Sequence, residues 1–213
     1  EISGDGIGSA PVTYKMLEMY GVTEEQLEAD ALANSPKLFP AKVEALGEMM
    51  DKMMREDFRR AGMSEEEIDI MMHEMGMDQA STPLTVVTNN QQMNGAAVLF
   101  YPGQMEQLGE SLKGDFFILP SSTHEVLIFP DNGQKTYEEL KAIVMDINQT
   151  QVLPEERLAD EVYHYDTKDR VFEKAGAFEE RQKAKEQDIG TKKDVNLDKP
   201  DVKPKRKSHD VSL

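Results

Sequence analysis

The stretch of sequence with the most functional residue types covers positions 121–125, in the order Ser, Ser, Thr, His and Glu. A serine hydrolase needs a serine nucleophile, a histidine base and an acid that orients the histidine, all within hydrogen-bonding reach. Adjacent residues of an extended chain point to opposite sides, so Glu125 is poorly placed to orient His124. No Gly-x-Ser-x-Gly elbow surrounds Ser121 or Ser122. The pattern favours a chain reversal whose hydroxyls and imidazole satisfy backbone groups, and if the turn is catalytic, His124 is the residue we expect to act.

Neither a metal site nor a cofactor site is predicted. The chain has no Cys and four His, which excludes thiolate ligands and leaves few imidazoles. The pairs His73-Glu74 and His124-Glu125 lack the second His, four residues on, that a zincin helix requires. His164 lies on a predicted strand, where the Glu-x-x-His geometry of a di-iron helix is lost. The glycines near the start of the chain have the wrong spacing for a dinucleotide fingerprint.

Methionine is the compositional outlier, because the chain has 14 Met and nine of them fall between positions 49 and 77. Met is flexible and polarizable, so these residues could form an adaptable groove for a partner helix or a soft copper(I) site. The favoured interpretation is the core face of a loosely packed helical hairpin, because most of these Met share a stripe with Val43, Leu46 and Ile68. Copper is the least favoured, since neither a regular Met-x-x-Met repeat nor a Cys supports it.

Helices must position this methionine cluster in the first 80 residues. Hydroxyl residues stand where N-caps are needed, and apolar residues recur every three or four positions after them. Thr23 with Gln26 has the spacing of a capping box, and Gly21 is placed to end the helix before it. The predicted helices cover residues 11–20, the segment after Thr23, 43–58 and 65–75.

After Ser81 the helical pattern of apolar residues ends, and β-branched and aromatic residues become frequent, which predicts strands. Two of these strands flank and position the candidate turn. Strands are predicted at 84–88 and 96–101, and the Asn, Gln and Gly residues between them predict a reversal that pairs the two strands. The further predicted elements are a helix at 105–112, strands 116–119 and 125–129, a helix at 137–147, a short helix at 155–159 and a strand at 161–166. This order of strand, strand, helix, strand, strand, helix predicts an α+β fold with a mostly antiparallel sheet and helices on one face. If the strands that flank the helix after Tyr101 are parallel neighbours, that connection is a right-handed crossover.

Composition divides the chain into three parts. We expect an N-terminal helical region with the Met-rich hairpin in residues 1–80, an α+β sheet domain in residues 81–175, and a charged tail in residues 176–213. The tail holds few apolar residues and a basic run at 203–207, so we expect it to be disordered and solvated. The residues after Arg170 also fit a helix that frays into the tail.

Charge restricts the partners. Residues 1–178 carry 14 Lys and Arg against 33 Asp and Glu, a net charge of −19, while the whole chain carries −17. Such a body should repel nucleic-acid phosphate, so we expect no direct binding of nucleic acid. No apolar run approaches the roughly 18 residues of a membrane span, so no membrane association is expected. The absence of Cys is compatible with the cytoplasm, which we expect as the location.

Four strings of the sequence resemble an uncharacterised family of bacterial proteins that is known by a domain-of-unknown-function label: YKMLEMYGVTEEQLEADALANSPKLFP, NGAAVLFYPG, GDFFILPSSTHEVLIFPD and ADEVYHYD. The resemblance covers residues 11–166, and its most specific string is ILPSSxHEV. It implies a bacterial, intracellular protein of a kind often carried near mobile elements, with no established activity. Members of this family begin further upstream, so the resemblance also implies a fragment or a shortened member.

Two functions are compatible with these features. The first is a non-enzymatic protein-interaction module whose acidic surface binds a basic or nucleic-acid-binding protein, in its sharpest form by imitating nucleic acid. The second is a small hydrolase or ligand-binding enzyme that uses the turn from Ser121 to Glu125. The first is favoured, because the sequence contains an acidic body and a Met-rich hairpin but no catalytic or cofactor constellation.

Overall fold

The computed structural model describes residues 10–76, 82–120 and 122–185. Its elements are, in chain order, α1 (Tyr14–Tyr20), α2 (Glu24–Leu38), β1 (Ala41–Ala45), α3 (Leu46–Arg60), α4 (Glu65–Glu74), β2 (Thr85–Asn89), a 3₁₀ helix (Gly95–Phe100), α5 (Gln104–Leu112), β3 (Phe116–Leu119), β4 (Val126–Pro130), α6 (Tyr137–Thr150), β5 (Tyr163–Asp166) and β6 (Val171–Lys174). The glycine-rich lead, Ser81, Ser121 and the basic run of the tail lie outside the described residues. Within the described ranges, no helix combines the length and the apolar character that a membrane crossing requires.

Hydroxyl N-caps begin three helices where the sequence predicts them. The side chain of Thr23 accepts the N–H of Gln26 at 3.2 Å, but the reciprocal bond of the predicted capping box does not form between these two residues. Complete capping boxes form between Ser64 and Glu67 at α4 and between Thr136 and Glu139 at α6. Because each box satisfies two N–H groups that a helix start leaves without partners, these short sequences specify helix starts locally.

The first helix is shorter than predicted. It begins at Tyr14 and not at Pro11, because Thr13 is the N-cap and its side chain accepts the N–H of Met16 at 3.4 Å. The predicted end is confirmed, since Gly21 has a φ of 67°. Glycine adopts this left-handed conformation without the steric cost of a Cβ.

The helix predicted over 43–58 is wrong at its N-terminal end, because residues 41–45 form strand β1. β1 pairs with β2 in antiparallel register, and Val43 lies opposite Val87. Ala-Lys-Val-Glu-Ala fits a two-residue period as well as a helical one, so the available partner strand decides between them. β1 therefore joins the predicted helical region to the sheet, whereas the domain boundary at residue 80 stays a prediction.

The strand predicted at 96–101 is also wrong, since Gly95–Phe100 is a 3₁₀ helix. Asn94 is the N-cap of this helix and has a left-handed conformation, with a φ of 51°. Ala96, Val98 and Leu99 are buried. A short apolar run that is buried on several sides shows no periodicity by which a strand could be distinguished from a helix.

The sheet has six strands in the order β1-β2-β4-β3-β5-β6, and every neighbouring pair is antiparallel. The α+β class and the predominantly antiparallel sheet are therefore confirmed. The predicted pairing of the first two strands is replaced by the pairing of β2 with β1 and β4. β2 and β3 are not neighbours, so the conditional right-handed crossover between them does not occur.

Helices cover both faces of the sheet, and not one face as predicted. Alternate strand residues separate into two apolar clusters. One cluster packs the 3₁₀ helix and α5 against strand residues that include Ile118 and Ile128. The other packs α6 against strand residues that include Phe117 and Leu127. The two-residue period of the strands places successive side chains in different clusters, and all four of these residues are buried.

The Met-rich hairpin consists of α3 and α4. Ile68 and Met72 of α4 are buried. Arg55 of α3 lies across from α4 and bonds Asp69 at 2.7 Å. Other methionines of the hairpin, such as Met53 at 56% exposure, face solvent. Met72 therefore lies in a core, as the favoured interpretation of the methionines predicts, whereas methionines such as Met53 form an exposed apolar surface.

The end of the described chain differs from the prediction in two places. Residues 154–156 form a turn and not the short helix predicted near them, and residues 175–185 are helical where a disordered tail was predicted to begin. The ambiguous segment after Arg170 contains both a strand and a helix, because β6 precedes that helix. The chain divides into two compact units after Ala175. The remainder of the predicted disordered tail, 186–213, lies outside the described residues.

Candidate functional site

The candidate turn connects β3 to β4. Ser121 lies outside the described residues, so the site contains Ser122, His124 and Glu125 of the predicted set. Ser122 is 9% exposed, and its Oγ accepts the main-chain N–H of His124 at 3.0 Å. Serine side chains often bond the backbone of their own turn in this way, which is the contact that the sequence predicts for a chain reversal.

The imidazole of His124 bridges two other segments of the chain. Its Nδ1 accepts the main-chain N–H of Asn94 at 3.2 Å. Its Nε2 lies 3.3 Å from Oε1 of Glu156. A ring nitrogen that accepts a hydrogen bond carries no proton, so the neutral ring has its proton on Nε2 and donates it towards Glu156.

These contacts change the chemistry that the turn can perform. The carboxylate beside the ring belongs to Glu156, and the Ser122 hydroxyl bonds the backbone of His124 instead of its ring. A hydrolytic base must accept the nucleophile's proton on a ring nitrogen. In the described site, Asn94 engages the accepting nitrogen. The arrangement therefore orients the imidazole between two chain segments and leaves a relay between Ser122 and His124 unassembled.

Main-chain bonds attach the turn to its neighbours. The Thr88 hydroxyl donates to the His124 carbonyl at 2.7 Å. The Thr123 carbonyl accepts the N–H of Ala96 at 3.1 Å, and the Thr123 N–H donates to the carbonyl of Glu156 at 2.8 Å. Since these three bonds join backbone groups of the turn to three other segments of the chain, tertiary structure as well as the turn's own side chains holds the turn in place.

Gly95, at the start of the 3₁₀ helix, packs closely against both the turn and β2. A Cβ added there would lie 2.1 Å from the Thr88 hydroxyl oxygen, 2.5 Å from the His124 carbonyl oxygen and 2.8 Å from the Asn89 nitrogen. Two of these atoms belong to the backbone and cannot move aside as a flexible side chain can. Glycine is thus the residue that lets the 3₁₀ helix approach His124.

The loop before Gly95 is organised by a buried amide. Asn89 is 4% exposed, and its Oδ1 accepts the N–H groups of Gln91 and Met93 at 2.9 and 3.4 Å. Its Nδ2 donates to the Met93 carbonyl at 2.8 Å. Gln92 and Asn94 both have positive φ values, of 55° and 51°. The buried side chain of Asn89 holds this strained loop so that Asn94 reaches His124.

An apolar cavity of about 480 Å³ opens beside this site. Asn94 and Thr123 line one side of it. Three aromatic rings line another side: Tyr163 and Phe172 stack with their centroids 5.1 Å apart, and Phe100 meets Phe172 edge to face at 6.2 Å. We call this space the ring-walled cavity. The remaining lining residues are mostly aliphatic: Ala96, Ala97, Leu99, Ile118, Pro120, Val126, Leu158 and Ala159.

The rings of the cavity are accessible from solvent. Phe100 is 58% exposed and Phe172 is 37% exposed. Apolar pockets of this size, with few polar groups at one side, are typical of binding sites. Exposed aromatic side chains at the wall of such a pocket gain free energy when a ligand covers them. The cavity can therefore hold an apolar or aromatic group.

The partners of the turn are not predicted from the sequence, because they are distant from it along the chain. Two of them are Asn94 and Glu156, which contact His124. The cavity rings of Phe100 and Phe172 also come from distant segments. The Asn-, Gln- and Gly-rich segment before Gly95 was interpreted as a simple reversal, although its composition is also typical of loops with positive φ values. No local pattern could have predicted that Glu156 meets His124, because tertiary packing alone brings them together.

The other histidines occupy different surroundings. His164 on β5 is buried, and its Nε2 lies 3.1 Å from Oδ2 of Asp131. The ring of Phe117 packs against it edge to face, with centroids 5.0 Å apart. His73 is the penultimate residue of α4. Among residues 10–76, 82–120 and 122–185, no group of three or more His, Asp or Glu side chains could hold a metal ion.

Comparison with known protein families identifies the family of the chain. The model of a family described as a family of unknown function, DUF5688, matches residues 1–167. No curated protein and no solved structure matches the chain. The match includes the β3–β4 turn, Asn94 and Glu156, while Phe172 follows it.

Proposed function

The chain belongs to DUF5688, a family of unknown function, and we propose that it is a non-catalytic interaction module that holds an apolar group of a protein partner in the ring-walled cavity. The observation that carries this proposal is the open cavity of about 480 Å³ with its wall of solvent-accessible aromatic rings. Binding would remove the exposed surfaces of Phe100 and Phe172 from water, which stabilises a complex.

The charge of the chain supports a basic partner. Cations of the Met-rich hairpin are engaged by nearby carboxylates: Arg55 bonds Asp51 at 3.0 Å, and Arg59 bonds Glu65 at 2.6 Å. Acidic residues exceed basic ones by 19 in residues 1–178, so a surplus of negative charge remains after such pairing. A partner that carries Lys and Arg near an apolar anchor would gain long-range attraction and could also place a cation over an aromatic ring.

The absence of Cys supports a location in the cytoplasm.

The contacts of His124 support a structural role for the turn in this proposal. His124 connects the loop that contains Asn94 to the segment that contains Glu156. Asn94 also lines the ring-walled cavity, so the imidazole fixes one side of its wall. The turn would then preserve the shape of the binding site without performing chemistry.

A small hydrolase or ligand-binding enzyme is the second candidate, because Glu156 supplies the carboxylate that His124 would need. The argument against an enzyme is that His124 Nδ1, the ring nitrogen without a proton, already accepts the N–H of Asn94 and is not free to act as a base. This candidate makes a distinct prediction for a chromogenic ester: hydrolysis above background that Ser122→Ala and His124→Ala both abolish. Hydrolysis of this kind would contradict a non-catalytic module.

The proposal is tested by capturing partners from a lysate of the source cells with the immobilised full-length chain. We compare wild type with Phe100→Ala and Phe172→Ala, which remove rings of the cavity wall. Phe39→Ala is the matched control, since Phe39 is 43% exposed and lies outside the ring-walled cavity. Bound proteins are eluted by increasing salt and quantified by mass spectrometry.

The expected result is a stoichiometric basic protein that salt releases, that wild type and Phe39→Ala capture equally, and that the two cavity variants lose. Circular dichroism shows whether each variant keeps its fold. Capture of the same proteins in the same amounts by all four chains would show that the cavity is not the binding site.

A further inference from the structure

A second cavity, of about 310 Å³, lies between α5 and the connection from β5 to β6. Four charged side chains, two of each sign, line it together with a tyrosine and a threonine. We call it the charged cavity, and these lining residues are Glu106, Glu110, Lys113, Tyr165, Thr167 and Arg170. It shares no lining residue with the ring-walled cavity.

The charged side chains of this cavity form no ion pairs in the part of the chain that the structure describes, although Glu106 also interacts with the Tyr165 hydroxyl. Among the described residues, no ion pair within 4 Å engages Glu106, Glu110, Lys113 or Arg170. By contrast, Arg55 and Arg59 of α3 are paired with carboxylates. Two cations and two carboxylates thus line one space without ion pairs between them, so the cavity offers charged partners of both signs to a ligand.

Both cations occupy backbone positions that glycine would adopt more easily. Lys113 ends α5 with a φ of 61°, and Arg170 has a φ of 54° in the connection to β6. A side chain at such a position costs about 1 kcal/mol or more relative to glycine. The sequence therefore carries a cation at each of two strained positions, and both line the same cavity. Strain of this kind is concentrated at functional sites.

The helix and the strand connection that line the charged cavity pack closely against each other. A Cβ on Gly109 would lie 2.5 Å from Cγ2 of Thr167, so this glycine allows α5 to pack closely against the strand connection. The N–H of Thr167 is in turn held by the Asp115 carboxylate at 2.8 Å. Tyr165 is 3% exposed, and burial raises its pKa, with a smaller contribution from Glu106. The tyrosine is thus a neutral phenol at neutral pH.

We propose that the charged cavity binds a free α-amino acid. Lys113 and Arg170 bind the α-carboxylate, and Glu106 and Glu110 bind the α-ammonium. A polyanion would meet the two carboxylates and a polycation the two cations, so a small zwitterion matches the charges best. A volume of about 310 Å³ lies at the lower end of ligand pockets, which suits a molecule of amino-acid size.

The test is a titration of the ¹⁵N-labelled full-length chain with each of the twenty L-amino acids, up to about 10 mM, which detects millimolar dissociation constants. Acetate and methylammonium, each with one of the two charges, serve as ligand controls. The variants are Lys113→Gly and Arg170→Gly, which remove a cation and relieve the left-handed strain, and Glu110→Gln, which removes an exposed carboxylate. Lys168→Ala is the matched control, since Lys168 is in the same connection but does not line the cavity.

We expect at least one amino acid to shift the amides of residues 106–114 and 165–170 in wild type and in Lys168→Ala. Binding should weaken about tenfold or more in each of the other three variants. The two glycine variants should resist urea as well as wild type does or better, which separates loss of binding from loss of fold. The proposal is overturned if no amino acid shifts these amides, if acetate or methylammonium binds as tightly, or if the three variants bind like wild type.

Discussion

The Nε2 atom of His124 lies 3.3 Å from Oε1 of Glu156, although the two residues belong to different connections of the sheet. The same imidazole accepts the N–H of Asn94 through Nδ1. One side chain thus joins the β3–β4 turn to two loops, one of which lines the ring-walled cavity. This relationship gives the His124 ring a bridging role that does not involve the Ser122 hydroxyl, which bonds the main-chain N–H of His124.

Removal of this imidazole should destabilise the fold moderately. His124→Ala loses the contacts with Asn94 and Glu156, and we expect the free energy of unfolding to fall by about 1–2 kcal/mol. Urea unfolding followed by circular dichroism measures this loss. Glu125→Ala, which changes the neighbouring acid, should stay within about 0.5 kcal/mol of wild type. Equal effects of the two substitutions would contradict the bridging role of His124.

Substitution of Gly95 should have a larger effect than any change in the turn. A Cβ there meets backbone atoms of His124 and Asn89 at 2.5 and 2.8 Å, so Gly95→Ala should cost about 3 kcal/mol or more in the free energy of unfolding. Gly114→Ala is the control, because a Cβ on Gly114 has no neighbour within 4 Å. Equal losses in the free energy of unfolding for the two variants would contradict the close packing of the 3₁₀ helix against the turn at Gly95.

The sequence predicts local features of the fold better than distant pairings. Ser64 and Thr136 specify helix starts because their partners lie three residues away. The sequence predicts a helix at Val43 and a strand at Val98, whereas Val43 lies in strand β1 and Val98 in the 3₁₀ helix. Their conformations depend on pairing with β2 and on packing around Gly95, which no local window of sequence contains. The importance of His124 could be inferred from residue types, but its partner Glu156 could not, since only tertiary packing brings the two together.

Acid should weaken the attachment of β1 to α3. The ammonium of Lys52, and then that of Lys42 at 3.2 Å, holds the pKa of Glu44 below its ordinary value. Because this pKa is depressed in the folded state, the stabilisation is complete above the unfolded pKa of about 4.3 and is lost as the pH falls through the folded value. Glu44→Gln should therefore be less stable than wild type at pH 7, and the difference should shrink in acid.

Urea unfolding of both chains at a series of pH values between about 7 and 3 measures this difference. Glu74→Gln is the control, since Glu74 is exposed at the end of α4 and no ion pair in the described residues involves it. A gap between wild type and Glu44→Gln that stays constant over the whole pH range would contradict the assigned role of the Glu44 carboxylate.

The central claim, that the ring-walled cavity receives an apolar group of a basic partner, is tested most directly by filling the cavity. Ala97 is exposed and lines it, so Ala97→Phe adds a ring to the space that the partner would occupy. Ala142→Phe adds the same ring to an exposed position of α6, outside the cavity. The measurement is the amount of salt-released partner that each immobilised full-length chain captures. The account predicts that Ala97→Phe loses the partner while Ala142→Phe and wild type retain it, whereas equal capture by all three chains would contradict it.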